Sequence, residues 1–78
     1  MSPKLPVVSG QEVVRVLTMV GYEVVRQRGS HMRLINRQIP ERKPVTVPDH
    51  AEIGPGLLRK ILRDAEISPA EFRKLLES

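Results

Sequence analysis

Val13, Val14, Leu17 and Val20 recur at three- and four-residue intervals, the spacing that lines one face of a helix. Ser9 and Glu12 stand just ahead of that stripe as an S-x-x-E capping box, in which the serine hydroxyl accepts from the third helical amide and the glutamate reaches back. With Val8 and Val13 as its staple and Gly21 free to turn left-handed at its end, the pattern predicts a helix over about residues 10–20. From Tyr22 the pattern changes to short β-compatible runs, "YEVVRQR", "HMRLINR" and "PVTVP", with turn-forming residues between them, which predicts three strands. Gly29-Ser30 reads as a two-residue hairpin loop with glycine in the position that needs positive φ.

That loop fixes a register in which Arg28 faces His31, Arg26 faces Arg33, Val24 faces Ile35 and Tyr22 faces Arg37, all on one side of the sheet. The other side carries Gln27 with Met32, Val25 with Leu34, and Glu23 with Asn36. In the third strand Val45 and Val47 point one way and Thr46 the other. Beyond the "EIGPG" loop, Pro55 suits the first position of a second helix whose apolar stripe is Leu57, Leu58, Ile61, Leu62 and Ala65. Ser68-Pro69-Ala70-Glu71 opens a third, short helix with a second capping box, stapled by Ile67 and Phe72.

The order α-β-β-β-α with a short terminal helix predicts an α+β fold, a three-stranded antiparallel sheet with the helices on one face, because each helix has one apolar stripe to bury. Val25, Met32 and Leu34 are expected beneath the helices. The open face then shows Arg26, Arg28, His31 and Arg33 at its hairpin end, with Tyr22, Val24 and Ile35 further along. That apolar remainder is either covered by another part of the chain or left as a docking patch.

Size and composition narrow the possibilities. A chain of 78 residues buries only about 60–65% of its unfolded surface, enough for one modest core, so residues 1–78 are expected to form a single domain. With no tryptophan and one phenylalanine, that core must be aliphatic. The absence of cysteine removes disulfides and thiolate metal sites and suits a reducing compartment, the cytoplasm by default. No apolar run is long enough to span a membrane, and "MSPKLPVVSG" has no signal-peptide core, so export is not expected. Thirteen Lys and Arg against nine Asp and Glu give a net charge of +4, which favours polyanionic partners without demanding them.

The hairpin carries the candidate chemistry. Arg26 opposite Arg33 is a like-charge cross-strand pair, relieved by an anion or by splaying into water. The amides of a glycine turn can also face an anion. His31 is open to three readings: an acid or base, a metal ligand, or an exposed side chain beside a turn. An imidazole among arginines is what metal-independent RNA cleavage needs, since a 2′-hydroxyl must lose its proton as it attacks. His50, the only other histidine, is a loop residue, a second acid-base group or an RNA contact. Two histidines without a carboxylate motif make a poor zinc site, so no metal or other cofactor is expected.

These residues bring a family into view. Gly21-Tyr22 at the end of the first helix, "VVRQRGSH" at 24 to 31, "VTVP" at 45 to 48 and "GLLRKILRDAEIS" at 56 to 68 resemble the HicA, or YcfA-like, toxins of toxin-antitoxin systems over nearly the whole chain. The resemblance implies a double-stranded-RNA-binding-domain-like fold, endoribonuclease activity on mRNA without a metal, and neutralisation by a HicB-like antitoxin. It places the catalytic histidine at His31, within Gly29-Ser30-His31, and the RNA-binding surface at Arg26, Arg28, Gly29, Ser30 and Arg33. The alternatives are a non-catalytic RNA-binding module of the same fold, which binds without cutting, and a module that binds only its protein partner.

Overall fold

A computed structural model describes residues 5–78; the first four residues of the expected 1–78 unit lie outside it. The elements follow in the expected order: α1 (Gly10–Met19), β1 (Tyr22–Arg28), β2 (His31–Asn36), β3 (Val45–Pro48), α2 (Pro55–Asp64) and α3 (Pro69–Leu76). The three strands form one antiparallel sheet in the order β1-β2-β3. A short bridge between Val8 and Ile53, absent from the sequence expectation, ties the two loop segments that precede α1 and α2.

Both halves of the Ser9 capping box are present, with Glu12 N–H donating to Ser9 Oγ at 3.1 Å and Ser9 N–H to Glu12 Oε1 at 2.9 Å. At α3 only half of the expected box forms: Ser68 Oγ accepts from Glu71 N–H at 3.0 Å, while the Glu71 side chain makes no return bond. Gly21 ends α1 with φ 102°. Gly10 answers a different demand, because a Cβ there would sit 2.1 Å from the carbonyl oxygen of Pro48. The start of α1 thereby lies directly against the end of β3, where Gly10 N–H donates to His50 C=O at 2.9 Å.

The sheet departs from the simple hairpin register at one point. Arg28↔His31, Gln27↔Met32 and Arg26↔Arg33 pair as expected, but beyond a bulge at Val25 the partners become Val24↔Leu34, Glu23↔Ile35 and Tyr22↔Asn36. One extra residue on one strand moves every later side chain of that strand to the other face. Tyr22 therefore leaves the open face and is buried with Asn36, and Val25, expected beneath the helices, is 40% exposed. The apolar patch of Tyr22, Val24 and Ile35 does not form. In the second helix Leu57 also falls outside the core, whose stripe begins at Leu58.

The core gathers Val13, Val16 and Leu17 of α1, Met32 and Leu34 of β2, Val45 and Val47 of β3, Leu58, Ile61 and Leu62 of α2, and Phe72 of α3. Asn36 is the one buried polar side chain among the described residues. Both its polar atoms are engaged: Nδ2 donates to Val20 C=O, and Oδ1 accepts from Gln38 N–H and Ile39 N–H. Tyr22 Oη donates to Lys43 C=O at 2.8 Å, and burial pushes its phenol above the ordinary value, partly opposed by Arg42.

Tyr22 is the only tyrosine in the chain, so a spectrophotometric titration reads this group alone. Its midpoint is expected above the model-peptide value of about 10. Because the folded-state value is raised, this contribution to stability is complete below the ordinary phenol range and is lost as pH rises through the raised value. A midpoint at or below the ordinary value would contradict the buried placement.

Candidate functional site

The hairpin turn holds Gly29 at φ 58°, while Ser30 stays on the negative side. Glycine adopts that first central position at low cost, and the geometry matches the twist of the flanking strands. Gln27 Nε2 braces the turn by donating to Gly29 C=O at 3.1 Å. Ser30 contributes its backbone: its carbonyl accepts from Asp49 N–H at 2.6 Å. Asp49 in turn accepts from Gln11 Nε2 of α1 at 3.1 Å, so the turn is fastened through the exit of β3 to the first helix.

His31 follows the turn, exposed, with Arg28 as its partner on one side and Pro48 on the other. Arg26 and Arg33 are directly paired on the same face. These side chains, joined by Thr46, line a shallow hollow of about 190 Å³. Arg33 Nη1 donates to Thr46 Oγ1 at 3.2 Å. No carboxylate lines the hollow, and among the described residues Arg26, Arg28 and Arg33 make no ion pair. Three uncompensated guanidiniums, two of them directly opposed, present a surface whose natural complement is an anion.

A second depression opens on the other side of His31. There His31, Arg33, Thr46 and Pro48 face Leu57, Lys60, Ile61 and Asp64 of α2 across a cleft of about 290 Å³. Lys60 Nζ donates to Asp64 Oδ2 at 3.1 Å, and this bond holds the Asp64 carboxyl below the usual carboxylate range. His31, Arg33 and Thr46 belong to both depressions.

All the residues expected at the site thus meet on one surface: His31, Arg26, Arg28 and Arg33 by their side chains, Gly29 and Ser30 by the turn. His50 lines neither depression; its carbonyl anchors Gly10. Among the described residues no group of three or more His, Cys, Asp or Glu side chains is placed to hold a metal ion. Thr46 and Lys60 were not singled out from sequence. Thr46 carried a signal, since it points opposite to Val45 and Val47 and so must share the face of Arg33. Lys60 carried none, because its approach depends on how α2 docks beside β3.

Fold and surface together define a small basic α+β protein with a cationic hollow, free of carboxylates, around the one histidine of its hairpin. The family model described as HicA toxin of bacterial toxin-antitoxin matches residues 10–67, and the chain belongs to that family. Family membership makes it the toxin of a toxin-antitoxin pair, with an antitoxin as its partner. The match begins at the first residue of α1, includes the hairpin and α2, and stops before α3. No curated protein and no solved structure matches the chain. No helix among the described residues is long and apolar enough to cross a membrane.

Proposed function

We propose that this toxin is an endoribonuclease that cuts mRNA without a metal ion, with His31 moving the proton and the hairpin arginines holding the phosphate. The observation that carries this is the position of His31. It is the one imidazole, and so the one side chain suited to both take and give a proton, on a surface otherwise made of Arg26, Arg28, Arg33 and Thr46.

The reaction follows from these parts. A phosphodiester settles among the guanidiniums, which carry the charge that builds on its non-bridging oxygens. His31, as the neutral imidazole, takes the proton of the adjacent 2′-hydroxyl as that oxygen attacks phosphorus. The bond to the 5′-oxygen breaks, and that oxygen takes up a proton from water. The products are a 2′,3′-cyclic phosphate and a 5′-hydroxyl end. The 2′-hydroxyl is the nucleophile, so DNA is not a substrate. The site is compatible with work in the cytoplasm, where a HicB-like antitoxin would silence it by covering the same cationic face.

The test is incubation of purified protein with mRNA in excess chelator. Cleavage is expected to persist, to leave cyclic phosphate ends and to spare a DNA of the same sequence. RNA binding without cleavage would instead make the chain a non-catalytic RNA-binding module. Arg26→Ala and Arg33→Ala are each expected to weaken RNA binding and to reduce the slope of log affinity against log salt by about one. An unchanged slope would remove that arginine from the phosphate surface.

A further inference from the structure

The cleft beside α2 holds groups that proton transfer at His31 does not use. Leu57, Lys60 and Asp64 stand at i, i+3 and i+7 and form one stripe of the helix, facing His31, Arg33 and Thr46. At about 290 Å³ the space lies at the small end of ligand clefts, which begin at roughly 300 Å³. That is room for one base and its sugar.

Two features of the stripe are not the ones a helix favours most. Asp64 is the last residue of α2, where the helix dipole disfavours negative charge. Lys60 precedes it by four residues, the weaker of the two orders for such a pair. Local preferences are set aside in this way mainly where function requires it. Asp64 is drawn in, its side chain 21% exposed against 63% for Lys60. Its Oδ2 is taken by Lys60, whereas Oδ1 has no donor among the described residues. Lys60 keeps two further N–H donors. Leu57, displaced from the core, leaves an apolar surface 40% exposed at the mouth.

We propose that this cleft is the subsite for a nucleotide adjoining the scissile phosphate: the base rests on Leu57 and donates an amino hydrogen to Asp64 Oδ1, while Lys60 contacts the next phosphate. The subsite presupposes the RNA-binding role of the hairpin face and adds a base preference to it. Adenine, cytosine and guanine carry an exocyclic amino group, whereas uracil's one base-edge donor, its ring N3–H, lies between two carbonyl oxygens that repel a carboxylate. Uridine at the subsite is therefore disfavoured by about tenfold, the low end of what one hydrogen bond to a charged group contributes.

The test uses short single-stranded RNAs with one cleavable position and A, C, G or U on either side of it. Rates are measured with wild type, Asp64→Ala, Asp64→Asn and Lys60→Ala, and binding of the same RNAs is measured with His31→Ala. Wild type is expected to show the roughly tenfold uridine penalty at one flanking position. Asp64→Ala abolishes it, and Asp64→Asn, whose amide can both donate to uracil and accept from an amino group, narrows it. Lys60→Ala raises KM for all four RNAs and lowers the salt slope by about one. Melting curves confirm that each variant is folded. A wild type that cuts with no base preference, or an Asp64→Ala that keeps the preference, overturns the subsite and leaves the ribonuclease standing. If no RNA is cut but binding still carries the uridine penalty, the subsite stands and the ribonuclease falls.

Discussion

Replacing His31 with alanine is expected to lower RNA cleavage by about 10²–10⁴-fold, the usual contribution of a positioned acid-base group. The fold should survive, because His31 is an exposed residue at a hairpin end and holds no side-chain hydrogen bond among the described residues. Stability is expected within about 0.5 kcal/mol of wild type. RNA binding should persist as well, since the proposed phosphate contacts are made by the arginines. His50→Ala is the matched control: the second histidine lines neither depression, and its removal should leave the rate unchanged. Equal cleavage by wild type and His31→Ala would move the chemistry away from the hairpin.

The largest effect on stability is expected at Phe72. It is fully buried and heads the largest completely buried side chains, although α3 lies beyond the stretch that matches the family. Phe72→Ala removes an aromatic ring from a core with no other, apart from Tyr22 at its margin, and should cost about 3–5 kcal/mol. A domain of this size is stable by only about 4–12 kcal/mol. The loss should lower Tm by more than about 10 °C, as measured by calorimetry or far-ultraviolet circular dichroism. A loss below about 1 kcal/mol would mean that α3 is an appendage to a core completed without it.

Elements defined by local chemistry were legible in the sequence. The Ser9 box, the Gly21 stop, the Gly29-Ser30 turn and proline at the start of α2 each act within a few residues of themselves. The hairpin end was legible for the same reason, because register counted outward from a two-residue turn holds as far as Arg26↔Arg33. Beyond that pair the count fails. "VV" at 24 and 25 offers two equivalent apolar side chains, both exposed, and nothing local says which one is left out of the pairing. The choice is made at a distance by Tyr22, whose ring fits the interior and whose hydroxyl reaches Lys43 C=O. Asn36 was hidden in part: Gln38 and Ile39 N–H lie within three residues of it, but Val20 C=O reaches its amide only when the end of α1 packs beside β2. Lys60 and Asp64 required the docking of α2.

The bulge at Val25 divides β1 into two lengths with opposite phase. Tyr22 keeps step with the hydrophobic interior, whereas Arg26 and Arg28 keep step with the turn. A residue gained or lost between them would exchange the faces of one length relative to the other, like a reading frame shifted within a single strand. The same division makes the tip a cassette. Side chains from Arg26 to Arg33 that point away from the helices can be exchanged as a block without rephasing Tyr22, so the outer surface of the tip can diversify while the interior stays as it is.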